Sequence, residues 1–222
     1  AHLVFVSEAL RGLARAAAPG LDAWLARATV QPMGLELERF AAIERAPARP
    51  AVILVVARLV AIKGVDVAID ALARLRSRAR LVIAGDGPAR DELEQRAALR
   101  VAGRQDVDVQ FLGMVDATRR DELLREASVV VVPSRAMPTG RTEGMPMIAL
   151  EALASGVPVV ASAVGGLSEL ASSAELVPPD SPIELADAID RTLAAPRPAG
   201  QLRAAVAHLD WRAVAPRLVR SE

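Results

Sequence analysis

The fold turns on Ala51-Val52-Ile53-Leu54-Val55-Val56-Ala57 and the seven residues after it, Arg58-Leu59-Val60-Ala61-Ile62-Lys63-Gly64. The first seven are apolar and rich in β-branched side chains, and they follow the proline-containing stretch Arg45 to Pro50. A short run with no polar alternation reads as a strand buried on both faces. Runs of the same kind recur at Leu81-Val82-Ile83-Ala84, Val107 to Leu112, Val129 to Val132, Val157 to Ala161 and, more weakly, Glu175-Leu176-Val177. Helix-like stretches near 64–77, 88–102, 118–127, 146–155, 165–172 and 182–195 separate them. The alternation predicts an α/β fold with a doubly wound, parallel, six-stranded, Rossmann-like sheet and right-handed crossovers. Ligands of such sheets sit beyond the carboxyl ends of the strands, so the loops there carry the functional reading.

Outside the sheet, residues 1–45 hold one strand-like run (Leu3 to Val6), a helix near Ser7 to Ala17, a break at Pro19-Gly20 and then Gln31-Pro32-Met33-Gly34. That is too little for a domain. The expected organisation is a 1–45 segment, a nucleotide-binding body over 46–198 and a helical tail over 199–222 that packs back on it. The chain has 27 basic and 27 acidic residues, so no global field draws it to nucleic acid or anionic lipid, and any anion site must be local. With no cysteine there is no thiolate chemistry. His2 and His208 are the only imidazoles, and neither has a triad-like neighbourhood. No run reaches the roughly 18 apolar residues of a membrane span. A cytoplasmic protein is expected, at most peripheral at the inner face of the membrane. Lys63 is the only lysine among the 27 basic residues, so it marks a place where a compact ammonium survives in an arginine-biased chain.

The loop after the first of these strands places Arg58 and Lys63 five residues apart, with Gly64 opening the next helix. Two cations at a helix start suit a diphosphate, although a solvated surface pair is the commoner fate of such residues. Gly85-Asp86-Gly87-Pro88-Ala89-Arg90 fails as a dinucleotide fingerprint, because Arg90 stands where the third glycine belongs and Pro88 is expected to open the helix. Its glycines leave a close approach of backbone to a ligand open. Asp106-Val107-Asp108 mimics a metal-binding pair but lies at the amino-terminal start of a strand, the wrong end for a ligand. After the fourth strand come Pro133-Ser134 and then Glu143-Gly144-Met145-Pro146-Met147-Ile148-Ala149-Leu150-Glu151. With Pro146 in the first helical turn, Glu151 lies about 7.5 Å along the helix, and free amides separate the two glutamates. An elongated ligand could set its diphosphate at the amides and offer hydroxyls to a carboxylate on either side. The plain alternative is a capping Glu143 and an exposed Glu151. Against it, Glu151 lies among Ile148, Leu150, Leu153 and Ala154, where a carboxylate needs a partner. Gly165-Gly166 admits either a close approach of backbone to ligand or a sharp turn.

In this order, the pieces Ala57-Arg58-Leu59 with Lys63-Gly64, Ile83 to Pro88, Phe111-Leu112-Gly113, Pro133-Ser134, Glu143 to Glu151, Ala154 to Ala161 and Gly165-Gly166 resemble the nucleotide-sugar-binding half of family-4 (group 1) retaining glycosyltransferases of the GT-B architecture. The resemblance spans most of the chain. It implies that Arg58 and Lys63 clamp the donor diphosphate, that Glu143 contacts the donor sugar and that Glu151 binds ribose hydroxyls. Arg58, Lys63 and Glu143 are thus the implied catalytic set. The implied donor-binding set is Glu151, the amides of Met147 and Ile148 near the phosphate, Gly113, Met114 and Val115 at the base, and Gly85 close to the donor. Pro146 departs from the glycine many relatives carry and removes one amide donor. The resemblance further implies a nucleoside diphosphate sugar as donor substrate, no metal or other cofactor, and transfer with retention in which the departing phosphate helps to deprotonate the acceptor. Implied partners are a glycan or lipid-carrier acceptor and an amino-terminal domain of comparable size, of which residues 1–45 resemble only the last strand and helix and the hinge. Alone, the chain is expected to bind and not to turn over. The Glu-Gly-Met-Pro form of the 143–146 stretch is most similar to subgroups that build exopolysaccharide or lipid-linked oligosaccharide. The competing reading is a non-catalytic nucleotide or sugar-phosphate binding domain; a nicotinamide enzyme is disfavoured by Arg90.

Overall fold

A computed structural model describes residues 3–219 of the chain, with side chains placed to residue 216; His2 lies outside the described residues. Among these residues eight strands form two sheets. In the smaller one, β1 (Val4–Phe5) pairs in parallel with β2 (Thr29–Val30). Between them lie α1 (Glu8–Ala17), capped by Ser7, whose hydroxyl accepts from the Leu10 amide, and α2 (Asp22–Ala26). The segment continues through α3 (Leu37–Ala41), whose Phe40 is buried.

The main sheet has six strands: β3 (Ala51–Val56), β4 (Ala79–Ala84), β5 (Val107–Gly113), β6 (Val129–Val132), β7 (Val159–Ser162) and β8 (Glu175–Val177). All are parallel, in the order β5-β4-β3-β6-β7-β8. The order reverses between β3 and β6, which makes their carboxyl ends the switch point where open α/β sheets bind ligands. All six apolar runs are therefore strands. Two boundaries differ for physical reasons. β4 starts two residues early, at Ala79, because Arg80 is accommodated by Asp108 directly opposite on β5, at 3.1 Å. β7 starts after Pro158, whose nitrogen cannot donate to a ladder.

Successive residues of the strands point to opposite faces, as double-sided burial requires. Val52, Leu54, Val130, Val132, Val159 and Ala161 join one core, and Ile53, Val55, Leu81, Ile83, Val131 and Val160 the other. The first core is covered by α6 (Ala117–Glu126), α7 (Met147–Ala154) and the 3-10 helix Gly165–Leu170, with Leu202 and Val206 of α9 (Ala199–Val206). The second is covered by α4 (Val65–Ala71), α5 (Arg90–Val101) and α8 (Pro182–Ala194). Three helical expectations are corrected. α4 is shorter than 64–77: Gly64 sits ahead of it at a left-handed φ of 61°, and the helix stops at Ala71, where the chain turns. The 165–172 stretch is a 3-10 helix opening on Gly165, also left-handed at 54°. Pro88 does not open α5, which begins at Arg90 after a turn.

The 35–38 and 209–212 segments meet outside the sheet. The Leu35 amide donates to the Leu209 carbonyl at 2.8 Å, the Trp211 amide donates to the Leu35 carbonyl at 2.9 Å, and Arg212 pairs with Glu38. These contacts seat α10 (Trp211–Val219) against the 31–38 segment. Leu35 and Phe40 join the first core, so the second half of the 1–45 segment packs with the body. α1, in contrast, buries none of its residues.

Candidate functional site

The loop leaving β3 makes a short 3-10 turn, Ala61–Lys63, and then reverses at Gly64 into α4. A Cβ on Gly64 would lie 1.9 Å from the Pro133 carbonyl oxygen, so only glycine lets the loops after β3 and β6 close on one another. Arg135 seals the seam. Its amide donates to the Ile62 carbonyl at 2.9 Å, and its guanidinium bridges Asp66 at 2.8 Å and Asp180 at 2.6 Å. Lys63 is thereby held against the loop that leads to α7.

Lys63 Nζ lies 2.7 Å from Glu143 Oε1. Glu143 is 7% exposed, deep for a carboxylate in a loop, and its backbone carbonyl accepts from the Gly166 amide at 3.2 Å. Cβ atoms on Gly165 and Gly166 would lie 2.2 Å from the Glu143 carbonyl oxygen and 1.6 Å from that of Gly144. The paired glycines thus serve a close approach, but of the 142–144 backbone rather than of a ligand. Beside this contact the hydroxyls of Ser134 and Thr142 are buried without a hydrogen-bond partner among the described residues. Buried hydroxyls are normally satisfied, so both retain hydrogen-bonding capacity at this junction.

Four residues past Glu143, α7 begins with Pro146 as its N-cap and no side-chain cap. The Met147 and Ile148 amides have no acceptor among the described residues, and the helix dipole adds partial positive charge there. Glu151 follows on α7, 6% exposed, facing Arg120 of α6 with Nε 3.3 Å from Oε2. Its exposed-surface alternative is excluded. Burial raises the Glu151 carboxyl above its ordinary 4.5, against the pull of Arg120 and of Arg39, which itself pairs with Asp121 at 2.8 Å. Arg120 was not found by sequence reasoning, because a cation on a helix as polar as α6 looks like any solvated charge.

Arg58 is exposed in the same loop as Lys63. Among the described residues it makes no ion pair, unlike most arginines of the chain. Gly85 and Gly113 are joined, with the Gly85 amide donating to the Gly113 carbonyl at 2.7 Å, but the side of Gly85 where a Cβ would stand is filled by the Ala57 carbonyl oxygen. Its glycine is accounted for by the neighbouring strand end. Met114 is exposed and Val115 is half-buried beyond the end of β5. Asp106 and Asp108 are tied to Arg104 and Arg80 respectively, and no group of three or more metal-ligating side chains occurs among the described residues. No helix of the described residues is long and apolar enough to cross a membrane.

The family model for Glycosyl transferases group 1 matches residues 50–195, and the chain belongs to that family. It is 40% identical over 146 residues to an uncharacterized glycosyltransferase, MJ1607, of Methanocaldococcus jannaschii, covering 64% of this chain and 35% of that protein. It is 39% identical over 149 residues to the glycogen synthase of Mycobacterium tuberculosis, covering 65% and 34%. The chain therefore spans about a third of the length of these curated relatives. Among solved structures, Anabaena HepE in complex with UDP matches its fold with a TM-score of 0.81 at 23% identity, over 98% of this chain and 62% of that one. The α/β fold with its all-parallel six-stranded sheet is that of GT-B glycosyltransferases.

Proposed function

We propose that the chain is the donor-binding portion of a retaining glycosyltransferase that moves a hexose-type sugar from a nucleoside diphosphate sugar to a glycan or lipid-carrier acceptor. The observation that carries this reading is the 2.7 Å contact between Lys63 and Glu143 at the uncapped start of α7. An ammonium, two unengaged amides and a buried carboxylate brought to one strand-end junction form a site for a diphosphate flanked by hydroxyls. Arg58, exposed and unpaired, closes on the diphosphate from the same loop as Lys63. Both cations offset the charge that gathers on the nucleoside diphosphate as the bond from the anomeric carbon to its oxygen breaks. The acceptor oxygen forms its bond on the face the leaving group vacates, and its proton passes to the departing phosphate. Glu143 holds the sugar, Glu151 the ribose, and the backbone at Gly113 to Val115 the base. That HepE is seen with UDP supports the nucleotide class.

We assign residues 1–45 to the end of an acceptor-binding domain and the hinge after it. Leu3, Val4, Leu13, Leu21 and Trp24 are exposed on and around α1, an apolar surface that a domain of that kind would cover.

The test is Glu143→Ala in the intact enzyme. Transfer falls by about two to three orders of magnitude, as for loss of a group that acts in the transition state, while nucleoside diphosphate affinity changes little. Unchanged turnover would leave the non-catalytic binding domain as the better reading.

A further inference from the structure

At the opposite end of the sheet lies a cleft of about 580 Å³, floored by Ala51, Ser128 and Pro158, each of which opens or just precedes a strand. β3 is six residues long, so this cleft is about 20 Å from the loops that hold Lys63 and Glu143. Arg45, Arg49 and Arg197 line it, no carboxylate does, and Arg203 of α9 reaches its wall beside Gly156 and Ala199.

Three of these four arginines are fixed by hydrogen bonds, Arg49 is exposed, and none is neutralised. Arg45 donates to the Leu124 carbonyl at 3.0 Å, Arg197 to the Ser172 carbonyl at 2.8 Å and Arg203 to the Ser155 carbonyl at 3.4 Å, all neutral acceptors. Among the described residues none of the four makes an ion pair, whereas most arginines elsewhere in the chain have an aspartate or glutamate within 4 Å. The nearby acids are engaged or turned away. Glu175 is held by Arg191 at 2.8 Å in the adjoining hollow, Glu126 faces Arg125 at 3.7 Å, and Glu44 is exposed outside the lining. Arg203 Nε is buried with no hydrogen-bond partner among the described residues. Burial lowers the Arg45 guanidinium to about 10, and the Arg203 cation beside it adds to the shift. Arg45 and Arg203, part-buried side by side with no counter-charge, cost free energy that an anion entering the cleft would recover, and the exposed Arg49 and Arg197 add donors at its rim.

We propose that this cleft is a second anion site, which takes a phosphate-bearing molecule apart from the donor site. Guanidinium forks match phosphate oxygens in pairs, and the volume suits a phosphorylated sugar or a headgroup of similar size. The phosphate could belong to a free metabolite or to an anionic lipid, and the experiment separates the two.

The 222-residue chain is titrated calorimetrically with inorganic pyrophosphate as wild type, as Lys63→Ala and as the double variant Arg49→Ala/Arg197→Ala, with thermal unfolding confirming that each is folded. Co-sedimentation with phosphatidylglycerol vesicles, against phosphatidylcholine vesicles, forms the second arm. Pyrophosphate binding that survives Lys63→Ala and weakens roughly ten- to hundredfold in the double variant is expected, the loss proper to charge-assisted hydrogen bonds. Arg49→Lys/Arg197→Lys retains part of it. Vesicle binding that the double variant abolishes, without pyrophosphate binding, assigns the same site to lipid phosphate. If Lys63→Ala removes all pyrophosphate binding, and the double variant alters neither that nor vesicle binding, the proposal is overturned.

Discussion

Two buried carboxylates, one on each face of the sheet, show how a group built for the fold differs from one left for a ligand. Asp190 of α8 accepts from the Arg76 amide at 3.1 Å and the Ser77 amide at 3.0 Å, and Arg76 Nε adds an ion pair at 3.2 Å. Burial works to raise its carboxyl, yet the Ser77 and Arg76 donors bring it below the ordinary 3.8. Glu151 of α7 is as deeply buried, but among the described residues its carboxylate has only the Arg120 ion pair at 3.3 Å and no hydrogen bond, and burial leaves it raised. Saturated, a buried carboxylate ties elements together; undersupplied, it retains acceptor capacity.

The largest expected effect tests the saturated side. Asp190→Ala leaves a part-buried pair of amides without their acceptor and unties α8 from the turn after α4, so it should destabilise the chain by about 2–4 kcal/mol. Nucleoside diphosphate affinity of the folded protein stays within twofold by about the measurement's own scatter, since nothing near Lys63 moves. The pH profile carries the same signature. A carboxyl depressed in the folded state stabilises above its unfolded value of 3.8, and that contribution is lost as pH falls through the folded value. Denaturant unfolding of the variant should therefore show a shallower acid limb than wild type.

Next in size is Lys63→Ala, which acts on the undersupplied side. Nucleoside diphosphate binding should weaken by roughly 1.5–3 kcal/mol in calorimetry, the range for a hydrogen bond involving charge. Monophosphate binding should change far less. Equal losses for both would mean that Lys63 does not grip the diphosphate, and that its contact with Glu143 serves the fold as Asp190 does.

This division between saturated and unsaturated groups explains which features the sequence discloses. Strands such as Ile53 to Val55 were legible because burial on both faces leaves no polar residue to interrupt the run. Lys63, Glu143 and Glu151 were legible because each stands where a strand end or an apolar helix makes its charge conspicuous. Arg135, Asp66 and Asp180 were not, though they lock the loops after β3 and β6 together. Their pairing depends on which loops the sheet order makes neighbours, and a polar loop residue carries no sign of its partner. Gly165-Gly166 is conspicuous in the sequence yet fits two readings, because a glycine pair records that something comes close without saying what. Arg80 hid the start of β4 for a related reason: its partner Asp108 lies 28 positions away.

Glu151→Gln should give the smallest effect, and it sets the sharpest limit on the comparison. A carboxyl whose folded value is raised contributes stability that is complete below its unfolded value of 4.5 and is lost as pH rises through the folded one. Above the folded value the wild type carries an ionised, poorly compensated group. Glutamine fills the same space and spares that cost, at the expense of the attraction to Arg120, so thermal unfolding should place the variant within about 1 kcal/mol of wild type. The difference should move in favour of the variant as pH rises through the folded value, the reverse of the trend for Asp190→Ala. Binding should respond the other way. One amide oxygen replaces two charged ones, so a nucleoside diphosphate that sets ribose hydroxyls there should bind several-fold more weakly, while inorganic pyrophosphate is unaffected. If Glu151→Gln instead unfolds the protein as readily as Asp190→Ala and spares nucleotide binding, Glu151 belongs with Asp190, and its missing donors are not capacity held for a ligand.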